Sequence, residues 1–414
     1  MQPVADTIPM PHLEKTIVAE GHLIDSGLMR QIFDVIISDG GRFEMLKFDI
    51  GRTNDEYTKA ALRVTCDDPV VMNTILLKLS SLGCQIDIDR KVILKPAPSD
   101  GVVPPDFYST TNYATEVRLD GHWVSVEQIR MDGVIVVDQA GRTAPVVKKL
   151  RSVLKGDQIV CGLTGVRVLP DFVERDRVDF GFMSGEVSTE RKVRLAVDRV
   201  ADIIRDKDKR VVCVSGPVAV HTGGSTDLAK LIEHGYIHAL LAGNALAVHD
   251  IEANLYGTSL GIDLSTGSPV EMGHRNHLRA INEVRRAGSI RELVAEGTLT
   301  SGVMHAVIEF DIPFCLAGSL RDDGPLPETV VDMNEAQDIY AQMLNGADVV
   351  LMLSTMLHSI AVGNMLPARV LTVCVDINPA VVTKLKDRGS HQTIGIVTDV
   401  GLFLHLLANQ LLRA

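Results

Sequence analysis

Residues 348–379 read DVVLMLSTMLHSIAVGNMLPARVLTVCVDINP, and the order of apolar and polar residues in this segment indicates one class of fold. An apolar run before Ser354 has the length of a buried strand, and a second apolar run ends at Asp376. The residues between them, from Ser359 to Asn364, predict a helix. Near-continuous apolar strands that alternate with helices are typical of a parallel sheet covered on both faces. The segment therefore predicts an α/β fold.

Two features of the same segment predict a nucleotide site. Ligands bind at the carboxyl ends of parallel strands, where unpaired N–H groups at the start of the next helix favour a pyrophosphate. Asp376 stands 21 positions after Thr355, where an acidic residue can accept both ribose hydroxyls of an adenosine. A carboxylate there would repel a 2′-phosphate, so the pattern favours NAD over NADP. The loop lacks the glycines of G-x-G-x-x-G, and an ordinary turn before a helix capped by Asn378 remains open.

Two other loops also follow strand-like runs. The glycine pair in residues 214–226 (VSGPVAVHTGGST) could wrap an anionic group, or could form a plain turn before a capped helix. Asn244, in the AGNA run at 242–245, offers donors and an acceptor for a nicotinamide carboxamide or a ribose. It could equally be the N-cap of a helix. Both alternatives stay open on the sequence.

The rest of the chain is organised around this α/β segment. We expect a C-terminal Rossmann-like domain with a parallel sheet over residues 190–414, a ferredoxin-like α+β domain over 15–95 and a small β-rich domain over 96–189. The first region has the order β-α-β-β-α-β, with Val92–Lys95 as its last strand. Four prolines between 96 and 105 mark a linker. In the middle region, short strand-like runs surround one predicted helix, Arg142–Leu154.

Composition excludes several classes of protein. The formal net charge is −12 and no strong basic patch offsets it, so a nucleic-acid partner is not expected. No uncharged apolar run reaches the length of a membrane span, and we expect no membrane partner. The six cysteines form no CxxC pair and no zinc spacing, so no metal site is predicted. Buried reduced thiols and the lack of a signal-peptide pattern favour a cytoplasmic location.

A few polar side chains could carry chemistry. His249 and Asp250 lie in AVHDIEANLYG, and a histidine beside a carboxylate is a common acid–base arrangement. Arg275 could hold a substrate carboxylate with two hydrogen bonds. Asn112 and Tyr113 lie in a segment dense in hydroxyls and amides that could line a polar pocket. A solvated helix face, a surface arginine and a polar turn are the respective alternatives.

Several long motifs together resemble the LOR/SDH-region family, which includes archaeal-type ornithine cyclodeaminases and the C-terminal half of cyanobacterial arginine dihydrolase/ornithine cyclodeaminases. The resemblance covers residues 15–414. The motifs that carry it are FYSTTNYATEVRLDGHWV, MDGVIVVD, VCVSGPVAVHTGG, AGNALAVHDIEANLYGTSLG, LAGSLRDDGPLPE, STMLHSIAVGN, VCVDINP and GIVTDVG. The guanidine-cleaving domain of the fused relatives has no counterpart in this sequence, so arginine dihydrolase activity is not implied.

The resemblance implies that NAD binds the C-terminal domain. The contacts it implies come from the AGNA, RDDG, STMLH, CVDINP and TDVG motifs. They are Asn244, Ala245, Asp323, Thr355, Met356, Leu357, His358, Asp376, Asp399 and Val400. The STMLH loop, Asp376 and the Asn244 loop are the positions that the strand-end pattern also indicates.

The resemblance implies an ornithine cyclodeaminase of proline biosynthesis that recycles its NAD. In this hypothesis the substrate α-amine is oxidised to an imine, the δ-amine closes the ring, ammonia leaves and the hydride returns. We expect Asp250 as the acid–base, with His249 as the alternate, and Arg275 as the carboxylate clamp. The substrate would occupy a cleft at a domain boundary, facing Asn112 and Tyr113.

Two other functions remain open on the sequence. An oxidoreductase of the saccharopine or opine type would transfer a hydride with net production of NADH. A non-catalytic sensor would bind an amino acid through the ferredoxin-like region and keep NAD as a structural ligand. A homo-oligomer is expected only because most large NAD enzymes are oligomers.

Overall fold

The structure is a computed structural model that divides the chain into two compact units, Met1–Arg177 and Val178–Ala414. It describes residues 13–21, 23–24, 27–51, 56–86, 91–138, 144–169, 189–264, 266–268, 270, 273–322, 324–388 and 393–412. Within these ranges, no helix has the length and apolar character that a bilayer crossing requires. The same ranges contain no group of His, Cys, Asp and Glu side chains that could hold a metal ion.

The first part of unit one has the predicted ferredoxin-like arrangement. Its four strands form an antiparallel sheet in the order β2-β3-β1-β4, which is the order of the split β-α-β motif. Buried aliphatic side chains of both helices pack on this sheet. The elements are β1 (Leu13–Gly21), α1 (Leu28–Ser38), β2 (Arg42–Asp49), β3 (Thr58–Cys66), α2 (Pro69–Ser81) and β4 (Gln85–Ile86).

One strand was predicted in the wrong place. The last strand of the ferredoxin-like sheet is Gln85–Ile86, whereas Val92–Lys95 largely coincides with β5 (Ile93–Pro96), which pairs with Gln158–Cys161 in another sheet. A two-residue strand leaves almost no periodic signal, and the longer apolar run nearby took its place in the sequence pattern.

The rest of unit one is β-rich, as predicted. Its strands form one sheet in the order β5-β10-β8-β9 and another in the order β11-β6-β7. The strands after β5 are β6 (Ala114–Leu119), β7 (His122–Ser125), β8 (Val134–Val137), β9 (Val146–Lys148), β10 (Gln158–Cys161) and β11 (Val166–Leu169).

The helix predicted at Arg142–Leu154 is wrong. Strand β9 and a short 3-10 helix, Leu150–Ser152, occupy the described part of that segment. Val146 and Val147 are β-branched and follow Pro145, so they favour a strand. The domain boundaries at residues 95 and 189 stay predictions.

Unit two is built on a seven-stranded sheet with the order β17-β16-β13-β12-β18-β19-β20, and every pair in it is parallel. Without the short edge strand β17, this is the doubly wound order 3-2-1-4-5-6. The strands of this sheet are β12 (Val211–Ser215), β13 (Ala239–Gly243), β16 (Phe314–Ala317), β17 (Thr329–Val330), β18 (Val349–Leu353), β19 (Leu371–Asp376) and β20 (Thr393–Val397). Two further strands, β14 (Thr258–Ser259) and β15 (Ile262–Asp263), form a separate antiparallel pair.

Helices cover both faces of this sheet, and strand side chains alternate between two cores. Val211 and Cys213 of β12 pack in one core, and Val212 and Val214 pack in the other. The helices are α3 (Thr189–Ile204), α4 (Val218–His221), α5 (Ser225–Glu233), α6 (Asn244–Tyr256), α7 (Asn276–Ala287), α8 (Ile290–Ala295), α9 (Val303–Glu309), α10 (Met333–Met343), α11 (Met356–Met365), α12 (Pro379–Arg388) and α13 (Val400–Leu412). The predicted Rossmann-like parallel sheet is confirmed.

Candidate active site

The strand order reverses between β12 and β18, and this switch point is where doubly wound sheets bind ligands. The loops that leave these two strands are in contact. A Cβ atom added to Gly216 would lie 2.4 Å from the carbonyl oxygen of Ser354, so only glycine fits there. Ser354 itself has a φ of 47°, which is uncommon for a residue other than glycine and concentrates at functional sites.

Helix α11 begins directly at the switch point, as the sequence predicted. Thr355 is its N-cap residue, and the Thr355 side chain makes no capping hydrogen bond to the first turn. Met356 and Leu357 are exposed. An uncapped N-terminus at the carboxyl edge of the sheet leaves N–H groups available to an anion such as a pyrophosphate.

His358 reaches from the first turn of α11 to the end of strand β13. A Cβ atom on Gly243 would lie 2.8 Å from His358 Cε1, so the ring rests on the backbone at Gly243. The Tyr340 ring meets the His358 ring edge-on at 6.1 Å, and Tyr340 Oη donates to the carbonyl oxygen of Ala242. Burial lowers the pKa of His358. Its Nδ1 atom is buried without a hydrogen-bond partner within the described ranges, so it can still bind a ligand.

Asp376 ends β19, two strands from β12. Its Oδ1 atom accepts a hydrogen bond from the N–H of Asn378 at 2.8 Å, and the Asn378 side chain accepts from the N–H of Ala380 at 2.9 Å. Asn378 therefore caps α12, which is the alternative that the sequence left open. The Asp376 side chain remains partly exposed, so its carboxylate can also accept ribose hydroxyls.

Asn244 begins α6 at the end of β13. Its buried amide oxygen accepts from the N–H of Leu326 at 3.0 Å and from Thr329 Oγ1 at 2.8 Å. The side chain therefore fixes the segment that follows the RDDG motif. Ala245 is partly buried beside it, and Asp323 lies outside the described residues.

Asp399 and Val400 open the last helix. Asp399 Oδ1 accepts from the N–H of Leu402 and caps α13, and Val400 is buried in a core. A Cβ atom on Gly401 would lie 2.4 Å from the carbonyl oxygen of Thr222, and one on Gly224 would lie 2.8 Å from Leu404. These contacts favour a packing role for the glycine pair in residues 214–226.

A second polar group lies on α6, close to α4. His249 Nδ1 donates to Glu252 Oε2 at 2.8 Å, and the Glu252 side chain is fully buried. Glu252 Oε1 also accepts from Thr258 Oγ1 at 2.9 Å. Burial raises the pKa of Glu252, but the hydrogen bonds from His249 and Thr258 outweigh it and leave the pKa below its ordinary value. We call His221, His249, Glu252, Thr258 and Ser259 the histidine cluster.

His221 completes this cluster from the end of α4. Its ring centroid lies 4.8 Å from that of His249, and its Nδ1 atom lies 2.6 Å from Ser259 Oγ. Burial, with a smaller contribution from the neighbouring His249 ring, lowers the pKa of His221 to about 4. At neutral pH the His221 ring is therefore uncharged. A carboxylate that orients one histidine beside a neutral second histidine can move protons.

Asp250 lies one residue further on but points elsewhere. It accepts from Ser225 Oγ and from the N–H groups of Val303 at 3.0 Å and Met304 at 2.8 Å. Its side chain is fully buried. Burial raises the pKa of the Asp250 carboxyl, and the donors offset this only in part. The contacts make Asp250 a cap of α9 that is tied to the start of α5.

The remaining predicted residues are spread over both units. Arg275 precedes α7 and is exposed. Asn112 is buried in unit one, and its Nδ2 atom has no acceptor within the described ranges. The N–H of Tyr113 donates to Thr111 Oγ1 at 3.4 Å. A buried amide donor without an acceptor fits a substrate carboxylate.

Sequence reasoning missed most of the histidine cluster. His221 lies in the glycine-containing loop at 214–226 and Glu252 lies in the AVHDIEANLYG run, but the sequence pattern assigns a role to neither. The three-residue spacing of His249 and Glu252 places both on one side of α6, which is a signal that the sequence contained. His221 and Ser259 come from separate segments, so no spacing could have joined them.

A doubly wound sheet with a polar rim at its switch point defines a protein of the Rossmann type. Family comparisons agree and cover nearly the whole chain. Residues 196–407 match the family described as arginine dihydrolase ArgZ-like, C-terminal, Rossmann fold. Residues 114–197 match the first region of the same C-terminal part, and residues 14–113 match the LOR/SDH bifunctional enzyme conserved region.

Individual relatives are similar over the same length. The ornithine cyclodeaminase of Methanothermobacter thermautotrophicus is 47% identical, over 94% of this chain and 96% of that protein. AgrE of Nostoc sp., a bifunctional arginine dihydrolase/ornithine cyclodeaminase, is 48% identical over 99% of this chain. The chain spans 60% of the length of AgrE.

Solved structures give the same result. The apo structure of ArgZ, a cyanobacterial arginine dihydrolase, has a TM-score of 0.85 and 40% identity over 100% of this chain and 60% of ArgZ. The ternary complex of AgrE with ornithine and NAD+ has a TM-score of 0.53 and 46% identity, with the same coverage. This chain belongs to the ArgZ-like C-terminal family and also carries the LOR/SDH conserved region.

Proposed function

We propose that this protein is an NAD-dependent ornithine cyclodeaminase that converts L-ornithine to L-proline and ammonia. The observation that carries the proposal is the match to archaeal ornithine cyclodeaminases along nearly the full length of both chains, at 47% identity. A family member has also been solved with ornithine and NAD+ together. Arginine dihydrolase activity is not proposed, because this chain spans only part of the bifunctional relatives.

The residues at the switch point suit NAD. The uncapped start of α11 at Thr355 would hold the pyrophosphate, and the Asp376 carboxylate would accept the ribose hydroxyls. The orphan Nδ1 atom of His358 is a further polar contact. Asn244 keeps the segment after the RDDG motif in place. The other proposed contacts are Ala245, Asp323, Met356, Leu357, Asp399 and Val400. NAD supplies the hydride acceptor and donor of the reaction when it is bound.

His249 is the acid–base residue that the geometry supports best. Its Nδ1–H is donated to Glu252, so the lone pair of Nε2 is available to accept a proton from a substrate amine. The His249 side chain is 12% exposed, which gives solvent or substrate limited access. Asp250, the residue favoured on sequence, has hydrogen bonds from three donors that hold two other helices. We therefore assign Asp250 a structural role.

The substrate contacts are proposed on chemical grounds. Arg275 is exposed and close in sequence to Asn276, whose Nδ2 atom donates to Thr258 of the histidine cluster. A guanidinium there can bind the ornithine carboxylate. The unpaired amide of Asn112 is a second candidate for the carboxylate, and Tyr113 would accompany it.

The test is incubation of the full chain with NAD and ornithine, with assays for proline, ammonia and absorbance of the reduced nicotinamide. The proposal expects equal amounts of proline and ammonia with no net NADH. Accumulating NADH would instead indicate an oxidoreductase of the saccharopine or opine type. Binding of an amino acid without ammonia release would indicate a sensor. Parallel reactions with lysine and arginine test the choice of substrate.

We also propose a cytoplasmic location and a homo-oligomeric state. All six cysteines are buried and free, which suits a reducing compartment. Fractionation of cells with an antibody to the chain tests the location, and recovery with periplasmic or secreted proteins would contradict it.

A further inference from the structure

Strand β2 is an unusual edge of the ferredoxin-like sheet. It pairs with β3 on one side and, among the residues that the structure describes, ends the sheet on the other. Every residue of β2 except Phe43 is exposed, including Met45, Leu46 and Phe48. A long, apolar, open edge presents a row of backbone donors and acceptors to another strand. The edge therefore requires a partner or a device that excludes partners.

The faces of β2 are fixed by its pairing with β3. Glu44 lies opposite Arg63 and forms an ion pair with it on the open face of the sheet. Phe43 stacks on Phe33 of α1 with ring centroids 4.5 Å apart, so its side is the helix face. A bulge at Leu46 shifts the register by one residue, which returns Lys47 and Asp49 to the open face. Arg42 also belongs to that face, because it alternates with Phe43.

Each charged residue of β2 has a residue of opposite charge at the matching position on the other side of the strand centre. The order is Arg42, Glu44, Lys47 and Asp49. If two copies of β2 run antiparallel about a two-fold axis at Met45, with Leu46 left out of the ladder as the bulge residue, Arg42 faces Asp49 and Glu44 faces Lys47, each pair on the open face. On the helix face the same register places Phe43 opposite Phe48. Opposed charges and aromatic pairs both stabilise antiparallel strands.

Neighbouring registers do not have this property. If one β2 strand slides along the other by two residues, every side chain stays on its face. A slide in one direction places Glu44 opposite Asp49, and a slide in the other direction places Arg42 opposite Lys47. Like charges directly opposite each other destabilise a strand pair. Charges and a bulge normally prevent an edge from pairing with arbitrary strands. Here they select one partner strand, which is the same strand in a second copy.

We propose that β2 is a dimerisation strand that pairs with β2 of a second copy of this chain. The two four-stranded sheets then form one eight-stranded antiparallel sheet, with the helices of both copies on the same face. Such an isologous contact is the usual way in which a two-fold dimer closes. The inference rests on unit one alone and does not depend on the reaction.

The test is a pair of charge variants of the full chain, studied by light scattering after size exclusion. Arg42→Asp with Lys47→Glu gives an all-acidic edge, and Glu44→Lys with Asp49→Lys gives an all-basic edge. Each variant alone should show half the mass of the parent, and an equimolar mixture should regain the parent mass. A monomeric parent, folded variants of parental mass, or a mixture that stays at half the mass would each overturn the proposal.

A neutral position provides a second test should the charge variants fail to fold. Leu46→Lys places two lysines beside the proposed axis and should halve the mass. Val70→Lys changes a more exposed apolar residue, on α2, and should leave the mass unchanged. Equal masses for these two variants would contradict the proposal. Circular dichroism on each sample confirms that the chain is folded.

Discussion

The switch-point rim and the histidine cluster are both polar, but they are prepared for ligands in different ways. At the rim, Thr355 leaves the helix start uncapped, His358 keeps an orphan nitrogen, and Asp376 is partly exposed. In the histidine cluster, Glu252 is buried and bonded on both oxygens before any substrate arrives. A binding surface keeps its hydrogen-bonding groups open, whereas a proton-transfer group must already be oriented.

The largest effect that tests this comparison is expected from removal of the proposed base, His249. His249→Asn should lower kcat by about 10²–10⁴-fold, which is the usual contribution of a general acid–base group. The Kd for NAD, measured by calorimetry, should stay near the parent value. Glu252→Gln should give a smaller loss of kcat and a shifted pH profile, because it weakens the orientation of His249 without removing it. A parental kcat in His249→Asn would refute the assignment.

Asp250 tests whether its carboxylate is structural. Asp250→Ala leaves the N–H groups of Val303 and Met304 buried without an acceptor, so the free energy of unfolding should fall by about 1–3 kcal/mol for each unsatisfied donor. Urea denaturation measures this loss. Protein that remains folded should keep a measurable part of its activity. A stable but wholly inactive variant would instead return the catalytic role to Asp250.

Asp376 tests the rim. Asp376→Ala should weaken NAD binding by about 10–100-fold, since hydrogen bonds to a charged group contribute roughly 1.5–3 kcal/mol. Binding of NADP should improve relative to NAD. The matched control is Asp332→Ala, which removes a capping carboxylate that follows β17 at the far edge of the same sheet. The idea fails if both variants bind NAD like the parent.

Acidification should lower the free energy of unfolding through His221 of the histidine cluster. Burial lowers the pKa of His221 from 6.5 to about 4. Between these two values the unfolded chain binds a proton that the folded chain does not, so stability is complete above pH 6.5 and declines as the pH falls toward 4. His221→Asn should flatten this part of the curve of unfolding free energy against pH. An unchanged slope would show that other groups cause the decline.

The sequence was most informative where one local pattern determined the outcome. Buried strands such as Val349–Leu353 consist of apolar residues, and Asp376 stands at a fixed distance from Thr355, so the parallel sheet and its rim could be predicted. The sequence was misleading where partners come from distant segments. Asp250 and His249 are adjacent in the chain, yet one binds Ser225 and Met304 while the other binds Glu252. The tertiary packing around α6 therefore determines which of these two side chains lies in the histidine cluster.

The contact between Gly216 and Ser354 has a consequence for the divergence and redesign of this fold. Because the Ser354 carbonyl fills the space that a side chain at 216 would need, neither loop can be altered independently. Related sequences should therefore covary at these positions. An attempt to graft a glycine-rich phosphate loop after β12 would have to rebuild the turn after β18 in the same step.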